Sequence, residues 1–272
     1  MLAVTVLWSY WPTLTALASV WSRDPQYSHG YLVPLFAGVL LWHRRALLAS
    51  VSLQINGWGL LFLAASIALR LLGVYFYYPW LDMVSLLPCL AGMVVLCGGW
   101  PALRWAWPGV GFLFFMLPLP FRLGMMMAPT LQRLATLAST YTLQTLGFPA
   151  ISEGNIIMLN ESRIGVVEAC GGLSMLIVFF ALATAVALMV ERDLKQKLLI
   201  VASAVPIAIV ANVTRITATA LLQEWAGRSV ADFFHDLAGW FMMPVALGLL
   251  WLELRLLARV LIVERSGLQA AR

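Results

Sequence analysis

Long apolar blocks run through most of this chain, and nothing else in it limits the fold so severely. Of its 272 residues, 62% are hydrophobic and 11% charged. An ordinary soluble domain is about half apolar and a quarter charged. Lipid offers no water to exposed N–H and C=O groups, so an apolar block in a bilayer must be a helix that bonds its own backbone. Eight blocks are long enough to cross a ~30 Å hydrocarbon layer at ~1.5 Å per residue. They lie at about 2–20, 30–47, 57–74, 83–99, 105–121, 170–190, 198–221 and 236–257. The expected fold is an all-α polytopic membrane protein, one transmembrane domain over residues 1–272, with no internal repeat and no low-complexity linker. Ala16-Leu17-Ala18 has the look of a signal-peptidase site. No basic stretch precedes it, and Trp8, Tyr10, Trp11 and Pro12 break the apolar run, so an uncleaved first span is expected.

Charge sets the orientation. With the N-terminus inside, the inner segments hold Arg44, Arg45, Arg104, Arg192, Lys195, Lys197, Arg255, Arg259, Arg265 and Arg272, against Glu191, Asp193, Glu253 and Glu264. The other seven basic residues share the outer side and span ends with eight acids. That asymmetry predicts both termini inside. The net charge of +5 forms no single basic stripe, so no nucleic-acid partner is expected. Cys89 and Cys97 share one apolar block and read as packing residues. Three widely spaced cysteines make neither a disulfide framework nor a zinc pattern, and neither metal nor cofactor is expected.

Residues 122–149 are apolar on average but carry Arg122, Gln132, Arg133, Gln144 and several threonines. An amphipathic helix on the outer surface fits better than a ninth span. A ninth span would put Trp42-His43-Arg44-Arg45 outside, against the charge rule. Between 150 and 169, Ile156-Ile157-Met158 and Ile164-Gly165-Val166-Val167 flank Asn160-Glu161-Ser162-Arg163 and read as a short β-hairpin that leads to Cys170.

The chemistry-bearing residues gather at the outer ends of three late spans. Glu168-Ala169-Cys170-Gly171-Gly172 opens one of them. A helix start favours thiolate over thiol, and the glycines admit a close backbone approach. A small packed residue at a helix start is the plainer alternative. Arg215 in Asn212-Val213-Thr214-Arg215 interrupts an apolar span about 25 Å above Leu198. Such an arginine is costly and usually functional, though simple snorkelling competes. Asn212 shares its helix face. Phe233-Phe234-His235-Asp236 opens the last span. His235 is suited to carry a proton near neutral pH, and Asp236 reads as an N-terminal helix charge. On the same side, Asp24-Pro25-Gln26-Tyr27-Ser28-His29-Gly30-Tyr31 joins the first two spans. It either lines the site or is a plain interfacial turn, and His29 is a rival proton carrier. His43 reads as a solvated loop residue. Acyl transfer needs a thiolate, a proton carrier and a positive or N–H group for the oxyanion, and Cys170, His235 and Arg215 can fill those roles.

With these segments in order, the chain resembles the exosortase/archaeosortase family of membrane transpeptidases. The resemblance rests on Tyr27-Ser28-His29-Gly30, Glu168-Ala169-Cys170-Gly171-Gly172, Asn212-Val213-Thr214-Arg215 and Phe234-His235-Asp236, and covers about 20–257. Gly171 stands where the family often has Ser or Ala. The resemblance implies Cys170, Arg215 and His235 as the catalytic set, with Glu168, Gly171, Asn212, Asp236, Tyr27, Ser28 and His29 supporting. It implies as partners secreted proteins with a C-terminal Pro-Glu-Pro-type sorting signal and an apolar helix. It also implies a bacterial inner membrane with the site facing the periplasm. Two alternatives stay open: a transporter or assembly factor for surface polysaccharide, and a protease that only hydrolyses. Against the transporter, no repeat or midplane helix break is visible.

Overall fold

A computed structural model describes residues 2–49, 52–160, 162–166, 172–234, 237–238, 244–245 and 247–255. They fall into two compact units, Met1–Phe121 and Arg122–Arg272.

The first unit is helical. Helices α1 (Leu2–Ser9) and α2 (Trp11–Arg23) lead through a 3-10 helix (Pro25–Tyr31) to α3 (Leu32–His43) and α4 (Arg45–Ala49). Helices α5 (Trp58–Tyr75) and α6 (Pro79–Phe112) follow, and a 3-10 turn, Leu113–Met116, ends the unit. Large apolar side chains stand exposed along α5, among them Leu61, Ile67, Leu71 and Val74. A water-soluble fold would bury such a band, whereas lipid covers it.

Helix α6 is two antiparallel limbs. Gly99 has φ +72° and ψ −168°, a conformation essentially reserved to glycine. The indole Nε1 of Trp80 donates to the carbonyl of Pro118 at 2.9 Å. A straight helix would hold those residues roughly 57 Å apart, so the chain reverses at Gly99. The first limb packs on α5, where Gly59 and Gly92 meet so closely that a Cβ on either would strike the other's backbone. The second limb packs on α3, where Gly109 meets Leu41. The expected spans 83–99 and 105–121 overlap these limbs, but the second limb is α-helical only to Phe112, and a 3-10 turn and extended chain at Leu117 follow it.

A polar seam joins α1, α2, α5 and the first limb. Arg70 pairs with Asp82 at 2.8 Å and reaches the Ser9 hydroxyl at 2.9 Å and its carbonyl at 3.2 Å. Its guanidinium lies 4.5 Å from the Tyr10 ring centroid. Thr13 donates to Asp82 at 2.5 Å, and the Tyr10 hydroxyl meets Ser66 and Ser85 at 2.7 and 2.9 Å. The expected span 2–20 is broken at Tyr10, and Arg70 bonds the carbonyl next to the break, which answers the demand of apolar surroundings that no backbone group be left unpaired.

The second unit begins with α7 (Phe121–Thr145), one continuous helix. Its buried stripe is Ala135, Thr136, Ser139, Thr140 and Leu143, a helical spacing, while Phe121, Leu123, Met125 and Met126 are exposed. A sheet of three strands follows, β1 (Ala150–Glu153), β2 (Ile156–Leu159) and β3 (Ser162–Gly165), antiparallel in the order β1-β2-β3. The expected two-stranded hairpin is thus corrected to three strands. Ala150–Glu153 pairs with β2 in the register Ala150↔Leu159 to Glu153↔Ile156, and Gly154 at φ +61° turns the chain. Four residues with one strongly apolar side chain gave no strand pattern of their own. Ile157, Leu159, Ile164 and Val166 form one core with Ala135, Leu143, Ile216 and Ala220.

Helices α8 (Leu173–Met189) and α9 (Leu194–Ala226) pack through small residues, with Ala183, Ala187, Ala204, Ala208 and Ala211 buried around Phe179 and Ile200. Small side chains let helices approach closely where burial from water gives no driving force. Residues 247–255 are helical, and Leu250 joins this core.

Among the described residues, three helical stretches are long and apolar enough to cross a bilayer: Trp58–Tyr75, Pro79–Met116 and Leu194–Ala226. Leu173–Met189 is apolar but shorter. The expected span 30–47 is made of the shorter α3 and α4, and 236–257 lies partly outside the described residues.

Candidate functional site

In the second unit, α9 places Asn212 and Arg215 on one buried face, three residues apart, at 2% and 7% exposure. Those values decide between two readings of the arginine. A snorkelling side chain sends its guanidinium out to water, whereas Arg215 stays inside the unit. A buried cation costs several kcal/mol unless its surroundings offset that cost. The Thr219 hydroxyl donates to the Arg215 carbonyl at 2.9 Å, and Ile216 and Ala220 on the adjoining turn enter the sheet's core.

Asn212 also touches the start of α8. Gly172 has φ +86°, and a Cβ there would lie 3.1 Å from Asn212 Nδ2. Glycine is therefore fitted twice over, by backbone conformation and by the amide against it. Gly172 and Asn212 line a small groove, with enclosed room for about one water molecule, whose remaining walls are apolar: Leu131, Leu134, Ala135, Leu176, Ala208 and Ile209. Cys170, two residues before Gly172, lies outside the described residues, as do Glu168, Gly171, His235 and Asp236.

The first unit holds Tyr27, Ser28 and His29 on its 3-10 helix, which Asp24 caps by accepting from the Gln26 N–H at 2.9 Å. The segment 113–119 runs out of helix at Leu117, and Pro118 and Pro120 bring no N–H. Its backbone is bonded instead by side chains. His29 Nε2 meets the Phe115 carbonyl at 3.2 Å, Trp21 Nε1 donates to Met116 O at 2.9 Å, and the Leu119 N–H donates to the Tyr27 hydroxyl at 3.3 Å. Trp80 takes the Pro118 carbonyl, as above. Gly30 admits the Trp21 indole, which a Cβ at that position would strike.

The Tyr-Ser-His-Gly segment therefore clamps a backbone that leaves its helix. A carbonyl partner makes Nε2 the protonated nitrogen of a neutral His29. Burial pushes the His29 pKa below the ordinary imidazole value, against the weaker opposing pull of the Phe115 and Gln26 carbonyls. Burial likewise raises the Tyr27 hydroxyl pKa, partly offset by the Leu119 N–H. Ser28 is exposed.

Two features escaped the sequence reading. The Arg70–Asp82 pair was legible as opposite charges on either side of a short turn at 76–78. Gln132 was visible only as a polar residue in a doubtful helix, yet its side chain donates to the carbonyl of Val166. Among the described residues, no group of three or more His, Cys, Asp or Glu side chains is placed to hold a metal ion.

Long apolar helices, a lipid-suited exterior and a polar site buried in one unit define an integral membrane protein. The model of the transmembrane exosortase family matches residues 21–252, and the chain belongs to that family, which implies a membrane peptidase or transpeptidase. The match takes in the Tyr27–Gly30, Cys170, Arg215 and His235 segments alike. No curated protein and no solved structure matches the chain.

Proposed function

We propose that this protein cleaves the C-terminal sorting signal of secreted proteins and transfers them to an acceptor through a thioester on Cys170. The Cys170 thiolate attacks the scissile carbonyl, the C–N bond breaks, and the departing amine takes a proton from His235. The acceptor, an amine or water, then gives a proton to His235 and attacks the thioester, which releases the thiolate. Arg215 stabilises the oxyanion or binds a carboxylate of the signal. Glu168, Gly171 and Asp236 flank the reacting residues in sequence. The charge asymmetry supports an orientation with both termini inside, and the family resemblance supports a bacterial inner membrane with the site facing the periplasm.

The observation that carries this reading is the buried Arg215 on the helix face of Asn212, which touches Gly172 two residues from Cys170. The commitment of His29 Nε2 to a backbone carbonyl supports His235 as the proton carrier. The test is Cys170→Ala in cells that carry a substrate with its sorting signal. The variant should accumulate in the membrane at the normal level and leave the signal uncut. Continued trimming would remove the nucleophile from Cys170. Selective labelling of Cys170 by an outside thiol-reactive peptide probe is the second expected result.

A further inference from the structure

Helix α3 and the second limb of α6 lie side by side, joined by Trp105 Nε1, which donates to the Leu41 carbonyl at 3.2 Å. Each presents an exposed face at helical spacing: Leu35, Val39 and Trp42 on α3, and Trp100, Arg104 and Trp107 on the limb. Arginines gather where these faces end. Arg104 stands between the two tryptophans of its face. The Arg45 guanidinium lies 4.5 Å from the Trp42 ring centroid. Arg44 links the helices by donating to the Arg104 carbonyl at 3.3 Å.

This gathering has no counter-ion of its own. The only carboxylates among residues 1–121 are Asp24 and Asp82. Asp24 caps the 3-10 helix, with about 18 Å of α3 between it and Arg44. Asp82 pairs with Arg70, and about 25 Å of the first limb separates it from the reversal at Gly99. Among the described residues, none of the three arginines pairs with a carboxylate, and Arg44 Nε has no acceptor. Like charges held together repel. Orientation in a membrane asks for basic residues on one side, but not for their convergence from two helices.

We propose that Arg44, Arg45 and Arg104 bind the phosphate of an anionic phospholipid where α3 meets the second limb of α6. Lipid covers the exposed apolar faces that lead to these arginines, so the anion that reaches them carries acyl chains. The chains lie along Leu35 and Val39, and the headgroup rests at the guanidiniums. A guanidinium fork bonds two phosphate oxygens at once, and tryptophan rings sit at headgroup level. Basic sites between membrane helices hold anionic headgroups in this way. The site is independent of the chemistry at Cys170.

The experiment titrates phosphatidylglycerol or phosphatidylcholine into the whole chain in detergent and counts retained lipid by native mass spectrometry, with inorganic phosphate as a competitor. The protein should retain phosphatidylglycerol in preference to phosphatidylcholine. The double variant Arg44→Gln, Arg104→Gln should bind phosphatidylglycerol about fivefold more weakly for each arginine lost, the scale of one basic residue at an anionic surface. The control Arg192→Gln, Lys195→Gln removes the same charge from exposed residues around the start of α9 and should leave the affinity unchanged. Equal retention of the two lipids, equal loss in the control, or displacement of the lipid by an equal concentration of inorganic phosphate overturns the proposal. Should the double variant fail to fold, Arg45→Gln and Arg104→Gln, single changes at exposed side chains, are judged by the same affinity.

Discussion

Both units bury polar side chains among apolar helices, but they use them differently. In the first unit the polar groups answer one another or the backbone: Arg70 with Asp82, Tyr10 with Ser66 and Ser85, and His29, Trp21, Trp80 and Tyr27 with segment 115–119. In the second unit Arg215 and Asn212 share a buried face, and Asn212 borders a groove beside Gly172. The first arrangement closes a scaffold; in the second, Gln132 and Gln144 tie α7 to the backbone of the sheet region, while Asn212 borders the groove beside Gly172. Two motifs of similar length thus stand in different surroundings: Tyr27 and His29 bond the backbone of segment 115–119, and Asn212 and Arg215 share one buried helix face.

The sharpest way to break this division is to remove one cation from each unit. Arg215→Gln should lower signal processing by about 100-fold or more, the scale of losing an oxyanion-stabilising group, with the protein still folded. Arg215→Lys should recover only part of this, because a point charge lacks the planar fork of donors. Processing close to normal in folded Arg215→Gln protein would put Arg215 with the scaffold.

Next in size is His29→Ala. It leaves the Phe115 carbonyl without its partner, which costs about 1–3 kcal/mol. Thermal unfolding should register that loss, while processing per folded molecule stays within about twofold. His235→Ala should do the reverse. Loss of processing in folded His29→Ala alone would exchange their roles.

Smaller still is Arg70→Gln. The Arg70 and Asp82 side chains are about a third exposed, and polar pairs between membrane helices contribute about 0.6 kcal/mol on average. A modest drop in melting temperature is expected, with partial recovery in the double variant Arg70→Gln, Asp82→Asn. Unchanged melting in Arg70→Gln would show that the seam contributes no stability.

The smallest effect is on pH. The His29 pKa is lowered in the folded protein, so the unfolded chain binds the proton more readily. The clamp's contribution is complete above the unfolded imidazole value of about 6.5 and is lost as pH falls through the lower folded value. Stability measured from pH 7.5 to 5.0 should decline less steeply in His29→Gln than in the native protein. Identical slopes would detach the clamp from this titration.

Much of the helical layout was legible because an apolar run in lipid has one solution. The expected spans 57–74 and 198–221 lie within or beside Trp58–Tyr75 and Leu194–Ala226 for that reason. The turn between 83–99 and 105–121 was readable from Gly98-Gly99 and Pro101, residues a helix interior does not favour. The break at Tyr10 was hidden, because its local sequence resembles any aromatic-rich span and its remedy, Arg70, sits far along the chain. The strand Ala150–Glu153 was hidden for a similar reason, since its partner strand rather than its own pattern makes it a strand. Arg215 and Asn212 were found from the oddity of polar residues in an apolar run. The role of the Tyr27–Gly30 segment was not.

Hydrophobicity and charge are carried residue by residue, so order along the chain alone settled that this is a membrane protein of helices and singled out Arg215 as costly. Hydrogen-bond partners are a property of pairs, and the bonds that decide between scaffold and site reach far: Trp21 to Met116, His29 to Phe115, and Gln132 to Val166. Only the folded molecule brings such groups together. A buried N–H or C=O must find a partner wherever the chain supplies one, and no local pattern says where that will be.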